Sequence, residues 1–397
     1  MITIKQAQKE IIKYKINLGS ETINTIHAFK RTLYDNVYSP VSHPLFDQSA
    51  VDGYAVRFKR TNKTKSNNLR FKIIGEIKTG ETYKHALKEN EAMRIFTGAP
   101  VPPVCSAVVM QELVEKKESM IQLKNLPRQN ENIRGKGKQI KKGKLAINKG
   151  TLLQPSSIGF LASLGINRIK AVRLPKVGII STGNEFFKKN EMMGKGKIYE
   201  SNSVMLSTLL KDMKIEPKCF LCEDNKKKLF SLITKVMRDV DIIIISGGVS
   251  VGDYDYTETV MKMLKFRIIF HNVLQKPGKP LLFARRRNKA AFGLPGNPRS
   301  VLVCFYEYIY PFILSSMGKD KVFLEKVKLP MFRSYNKKDT KGLFLTAKFK
   351  EDKIDITEGQ ESHMLRSFID ADGLIYLKEG IREYEAGENI EVHLLPK

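Results

Sequence analysis

The chain has 397 residues, 42% of them hydrophobic and 28% charged, with 27 glycines and 16 prolines. That is globular composition, enough for two to four domains and at least one sizeable core, and no stretch approaches the roughly 18 apolar residues that a membrane-spanning helix needs. A net charge of +28 favours anionic ligands, but the basic residues lie in scattered runs with no zinc-finger or helix-turn-helix signature, so nucleic-acid binding is disfavoured. The opening "MITIKQAQKEIIKYKI" is charged throughout and has no apolar run of the signal-peptide kind, so the expected location is the cytoplasm.

Residues 46–135 contain short strand-like runs separated by polar turns: "RFKIIGEI" (70–77), "ENEAMRIFTG" (89–98), "CSAVVMQEL" (105–113) and "SMIQLKNL" (119–126). They predict a small β-rich domain. The stretch 136–167 holds a strand-like piece leading to a helix, with Ser156 or Ser157 as its expected cap.

From 168 to 318 the pattern becomes regular. "KVGIIS" (176–181), "EPKCFLC" (216–222) and "VDIIIIS" (240–246) predict strands; "SNSVMLSTLLKDM" (201–213) and "NKKKLFSLITKVMRD" (225–239) predict helices between them. A helix near 256–264, short strands at 280–284 and 289–295, and a long helix from 297 follow. Strands alternating with helices imply a parallel sheet covered on both faces, and an uninterrupted "IIII" suits a strand buried on both sides. The last 80 residues alternate at short spacing and predict a β-barrel or sandwich.

Cys219 and Cys222 form a C-x-x-C pair, but in a strand positions i and i+3 face opposite sides and cannot share a ligand. The chemistry lies elsewhere. "SGGVSVGDYDY" (246–256) occupies the loop after the most apolar strand, where open α/β sheets bind ligands. Its glycines allow close backbone approach and an anion-binding nest, and its aspartates add a metal ligand or a base.

"QKPGKPLLFA" (275–284) sets Lys276 and Lys279 as point charges in a rigid loop. "GLPGNPRS" (293–300) places Asn297 to cap a helix starting at Pro298, whose N-terminus suits an anion. Glu185, Asp224 and Asp255 each follow a predicted strand of one sheet. Three such carboxylates would repel unless a metal intervenes, and hard oxygen ligands suit Mg²⁺ held jointly with a substrate phosphate.

Together, "PLFDQSAVDGYAV", "RIFTGAPVP", "STGNEF", "GKIYESN", "SGGVSVGDYDY", "KPGKP", "GLPGNPRS" and "SHMLRSF" resemble the molybdopterin molybdenumtransferase family, the MoeA-type proteins that include the gephyrin E domain. The motifs run in the family's order from residue 44 to 368. The resemblance implies a multidomain α/β plus β protein whose central three-layer α/β domain is MogA-like with a parallel sheet. The implied division is a linker or dimerisation domain (1–20, 38–45, 136–167), a β-rich domain (46–135), the molybdopterin-binding α/β domain (21–37, 168–318) and a C-terminal β-barrel domain (319–397).

The implied activity inserts molybdenum from molybdate into adenylylated molybdopterin with release of AMP, using Mg²⁺ or Zn²⁺. The implied partners are a second copy of the chain, the molybdopterin adenylyltransferase and molybdoenzyme chaperones. By matching positions, Asp52, Thr97, Glu185, Asp224 and Asp255 are catalytic, with Glu185, Asp224 and Asp255 holding the metal. Ser246, Gly247, Gly248, Ser250, Gly252, Pro295, Gly296 and Asn297 bind the pterin substrate; Lys276, Lys279, Ser300 and Ser367 match a molybdate pocket. Two positions depart from the family pattern: Gln139 stands for an acid and Thr346 for an arginine, with Lys348 and Arg366 as nearby replacement charges. The alternative reading is a catalytically weakened paralogue acting as a molybdopterin-binding or scaffold protein.

Overall fold

The computed structural model describes residues 1–59, 69–83, 86–186, 196–249 and 256–396. They fall into two compact units, 1–21 with 171–397 and 22–170.

In the larger unit, strands Lys218–Cys222, Val177–Thr182, Ile242–Ser246 and Lys289–Leu294 lie side by side and run parallel. Their branched side chains alternate between two cores. Ile179, Ile244 and Phe292 pack with Ile4, Ile11 and Phe312 on one face. Ile180, Ile243 and Ile245 meet Leu229, Ile233 and Val260, from helices Lys226–Asp239 and Thr257–Met263, on the other. Burial on both faces is why the "IIII" run shows no polar alternation. Each such isoleucine contributes roughly 1.5–3 kcal/mol of burial.

The sheet is mixed rather than parallel throughout. Leu282–Arg286 returns antiparallel against Lys289–Leu294, and Arg267–His271, which the sequence reading missed, adds antiparallel at the edge. Only Arg287 and Asn288 separate the two hairpin strands, and Arg287 adopts φ 52°. Two residues suffice for an antiparallel hairpin, whereas a parallel pair needs a crossover of a dozen or more.

The long helical run from 298 is interrupted. Helices Pro298–Cys304 and Tyr310–Ser316 flank a π-helical turn, Phe305–Ile309. Pro311 has no N–H to give the Glu307 carbonyl, so the regular register cannot pass that point. The turn directs Glu307 and Tyr308 into the interior.

The C-terminal part is a β-sheet domain. Gly342–Lys350 pairs antiparallel with Gly373–Leu377, which is followed by Asn389–Leu394 and then Lys326–Pro330. Leu345, Ile354, Ile375 and Val392 form its core. Gln275–Lys276 leaves the α/β sheet to lie parallel beside Gly342–Lys350. The lysine loop therefore starts as an edge strand of the second sheet.

The unit 22–170 is built on six strands in the order Ala107–Met110, Gly53–Val56, Glu91–Ile95, Arg70–Ile77, Met120–Leu123 and Val114–Lys117. Gly53 is obligatory there, since a Cβ would lie 1.9 Å from the Val109 carbonyl oxygen. A second cluster packs Ala28 and Leu33 against Leu153, Leu161 and Ile169, which places 22–37 in this unit. Helix Pro155–Ser163 is capped by Gln154, not by Ser156 or Ser157; Ser157 Oγ instead accepts from the Gln154 N–H at 3.4 Å.

Candidate functional site

The four parallel strands end at one edge, so the loops leaving Thr182, Cys222, Ser246 and Leu294 meet there. They line an open cleft of ≈ 1320 Å³ together with the 276–280 loop and segments 335–345 and 360–363. The structure brings Glu185, Asp224, Ser246, Gly247, Gly248, Lys276, Lys279, Pro295, Gly296, Asn297 and Ser300 to its walls. Ser367 is not among them: it is buried, and its hydroxyl donates to the Met364 carbonyl at 3.1 Å. Ser250, Gly252 and Asp255 lie outside the described residues.

The floor is the turn after Ser246. Gly247 sits at φ 95°, and a Cβ there would meet Thr182 O at 2.5 Å and Thr182 Oγ1 at 2.7 Å. Only glycine permits that approach. Asn202, which sequence reasoning did not single out, ties two loops: its Nδ2 donates to Ser246 Oγ at 2.9 Å and to Gly296 O at 2.7 Å. Its Oδ1 is buried with no hydrogen-bond partner among the described residues, as are the Thr182 and Thr257 hydroxyls. Glu200 fixes the start of the Asn202 helix by accepting from Ser181 Oγ at 2.9 Å, from the Ser203 N–H at 2.8 Å and from Ser203 Oγ. The signal for both was present in "YESN", a carboxylate and an amide just where a helix begins after a strand.

One wall is acidic. The Glu185 carboxylate folds back over Gly183, where a Cβ would be 2.3 Å from Oε2. Asn184 links the two acidic loops, its Oδ1 accepting from the Asp224 N–H at 3.1 Å, while Lys197 donates to its carbonyl at 2.8 Å. Among the described residues no three of His, Cys, Asp or Glu come together as a metal site. The donor chemistry of Glu185 and Asp224, hard carboxylate oxygens lining one cleft, fits a divalent cation completed by substrate phosphates. Cys219 is exposed and Cys222 buried, as expected for opposite faces of Lys218–Cys222, and both are free thiols.

Other residues lining the cleft are basic. Lys276 Nζ is 3.5 Å from Asp339 Oδ2, and Lys341 Nζ is 3.4 Å from Oδ1. Asp339 is held below the usual carboxylate range, chiefly by the Lys341 N–H and then by the two lysine charges, which outweigh its burial. Asn297 stands at the cap position but does not cap: its Nδ2 donates to Ser362 Oγ at 2.8 Å. The Arg299 N–H at that helix start is taken by the Ser362 carbonyl at 3.2 Å, so the expected anion-binding helix terminus is partly closed.

Arg299 itself was not foreseen. Only 1% exposed, it donates through Nη1 to the Gln360 carbonyl and through Nη2 to Phe344 O and Gln360 Oε1. Burial pushes its pKa down to about 10, against the Glu361 charge. Gln360 Nε2 then donates to the hydroxyls of Thr346 and Thr357, at 2.9 and 3.1 Å. Thr346 is thus a fully buried structural member of this network. The cation beside it is Arg299; neither Lys348 nor Arg366 lines the cleft.

In the unit 22–170, Asp52 Oδ1 accepts from both the Thr97 N–H and Oγ1, each at 2.7 Å. These bonds, the amide one first, hold the Asp52 carboxyl below its usual range. Arg94, also unforeseen, donates to the Gly53 carbonyl at 3.1 Å and to Gln111 Oε1 at 2.5 Å, between the rings of Tyr54 and Phe96. Gln139 is exposed, its N–H bonded to His43 O at 3.0 Å, and the acid in that loop region is Asp47, which accepts from the Lys136 N–H at 2.7 Å.

Three family models match in sequence order: the MoeA N-terminal region (domain I and II) over 2–165, the probable molybdopterin binding domain over 178–315, and the MoeA C-terminal region (domain IV) over 344–395. A molybdopterin molybdenumtransferase of Haemophilus influenzae is 31% identical, with all of both chains covered. The chain belongs to the molybdopterin molybdenumtransferase family. The Staphylococcus epidermidis member is 29% identical over 99% of this chain and 95% of its own. The crystal structure of the molybdopterin biosynthesis MoeA protein from Pyrococcus horikoshii superposes with a TM-score of 0.85, at 31% identity and 99% coverage of each chain. Family membership and fold thus agree with the motif order, with the mixed sheet as the correction.

Proposed function

We propose that the chain completes molybdenum cofactor assembly by inserting molybdenum from molybdate into adenylylated molybdopterin and releasing AMP. The observation that carries this is one cleft lined both by carboxylates, Glu185 and Asp224, and by lysines, Lys276 and Lys279. A dianion and a phosphoanhydride ask for that pairing.

Glu185 and Asp224, with Asp255, would hold Mg²⁺ or Zn²⁺, which when bound neutralises phosphate charge. Lys276, Lys279 and the hydroxyl of Ser300 hold molybdate, whereas Ser367, buried away from the cleft, takes no part. The glycine turn at 247–248 lets substrate approach the main chain. Two dithiolene sulfurs replace one oxo group of molybdate, which leaves as water with the two thiol protons. Attack of a water oxygen on the pterin-side phosphorus breaks the phosphoanhydride P–O bond, AMP leaves with the bridging oxygen, and the pterin keeps its phosphate. Asp52 and Thr97 serve the same reaction. The proposal includes a homodimer of four-domain subunits acting in the cytoplasm, supplied by the adenylyltransferase and relieved of product by molybdoenzyme chaperones. Within the described residues no helix is long and apolar enough to cross a membrane.

A second reading, a molybdopterin-binding scaffold without turnover, is favoured by Gln139 and Thr346 at the two divergent positions. AMP release from adenylylated molybdopterin, with and without molybdate and Mg²⁺, separates the two. Molybdate-dependent release supports the transferase, and tight binding without release supports the scaffold.

A further inference from the structure

The loop that bears Lys276 and Lys279 is held from inside by side chains that the reaction scheme does not use. Gln275 is fully buried although it borders the cleft. Its Nε2 donates to the carbonyls of Pro277 and Gly278, at 3.0 and 3.3 Å, and its Oε1 accepts from the Tyr308 hydroxyl. Tyr308 is equally buried, on the π-helical turn Phe305–Ile309. Cys304 Sγ closes the back of the loop, 3.7 Å from Gly278 O. Gly278, at φ 87°, could not bear a Cβ, which would lie 2.6 Å from that sulfur and 2.8 Å from Gln275 Nε2.

An apolar residue would fill position 275 at lower desolvation cost, because a buried amide and phenol must each find a partner. Here both do, and the partners are the carbonyls of the turn between the two lysines. The π turn is itself anchored: Glu307, beside Tyr308, accepts from Gln8 Nε2 at 3.0 Å and pairs with His393 Nδ1 at 2.6 Å. That ties the turn to helix Ile4–Lys13 and to strand Asn389–Leu394. The lysine loop is braced through one amide to a turn locked on its other side.

We propose that Gln275 and Tyr308 are positioning residues that set the placement of Lys276 and Lys279 toward the anion. The proposal rests on the molybdate reading above. Neither residue touches substrate; each acts through the loop carbonyls. Their removal therefore affects the oxyanion rather than the pterin substrate.

The test uses the full-length protein with Gln275→Leu and Tyr308→Phe, the second keeping the ring. The half-saturating molybdate concentration for AMP release is expected to rise about tenfold in both, as for the loss of one well-aligned contact, while that for adenylylated molybdopterin moves less than about twofold. Unchanged molybdate half-saturation in both folded variants, or equal loss toward both substrates, overturns the proposal. If the unaltered protein shows no molybdate-dependent release, the functional reading fails separately. The brace is then read by acetic anhydride labelling of Lys276 and Lys279, followed by mass spectrometry. A several-fold rate change in Gln275→Leu sustains it; identical rates overturn it.

Discussion

Arg299 reaches Gln360 twice, through Nη1 to its carbonyl at 2.5 Å and through Nη2 to its side-chain oxygen. This pair joins the helix after the PGNP turn to the 357–363 loop of the C-terminal domain, and through Gln360 it reaches Thr346 and Thr357. Replacing Arg299 by Ala strands the carbonyls of Phe344 and Gln360 in a buried setting. The expected cost is about 2–4 kcal/mol, since a buried polar network loses its donor. Thermal unfolding gives the size, and faster amide exchange at Thr346 and Thr357 gives the location. Unaltered protection at these two amides would contradict the network.

Asp52 and Thr97 predict a pH effect of definite sign. The folded Asp52 carboxyl lies below its ordinary value because Thr97 donates to the ionised form. The stabilisation is present above the ordinary carboxylate pKa and is lost as pH falls through the depressed folded value. Thr97→Val keeps the amide donor but removes the hydroxyl, so the Asp52 titration, followed by carboxyl NMR, should move partway back up. A titration identical to that of the unaltered protein would refute the hydroxyl's part.

Arg173 and Asp241 hold the α/β sheet by a two-pronged contact at 2.8 and 3.0 Å. Burial alone would raise the Asp241 pKa, but the Arg173 bonds, the Lys176 N–H at 2.8 Å and nearby positive charge prevail, leaving it lowered. Its contribution is therefore present above the ordinary Asp value and disappears as pH falls through the folded one. Asp241→Asn should lower stability at pH 7 by about 1–2 kcal/mol, between the values for exposed and buried pairs because both side chains are partly solvated, with a smaller difference at low pH. Denaturant unfolding at several pH values measures this; a pH-independent gap would contradict it.

Gly247→Ala tests the floor of the cleft. The added methyl would meet the Thr182 carbonyl and hydroxyl at 2.5 and 2.7 Å in a backbone of φ 95°. Strain of about 1–3 kcal/mol is expected from the backbone alone. Binding of adenylylated molybdopterin should fall with it, as measured by calorimetry. Gly159→Ala is the control, because nothing lies within 4 Å of a Cβ there and the residue does not line the cleft.

The sequence made the strand ends legible because parallel strands need long apolar runs and their loops collect glycine and carboxylate at one edge. The motif order did the same for the family. What it hid were contacts between segments far apart in the chain. Arg299 and Gln360 lie 61 residues apart and Gln275 and Tyr308 lie 33 apart. A buried arginine or glutamine has no local pattern that sets it apart from a surface one. The hairpin strands at 280–284 and 289–295 were expected, but not their antiparallel pairing, since the short basic link between them carries no direction signal; Arg287 and Asn288 form the turn. Asn297 shows the limit of cap rules, since its amide finds Ser362 instead.

The most direct test of the central claim is the stoichiometry of one reaction mixture. Purified protein, adenylylated molybdopterin, molybdate and Mg²⁺ are combined, and free AMP and pterin-bound molybdenum are quantified together. The account predicts equimolar AMP and bound molybdenum, both lost in Lys276→Ala/Lys279→Ala and in Glu185→Ala/Asp224→Ala. AMP formed without bound molybdenum, or neither formed while the adenylylated substrate stays tightly bound, would contradict it.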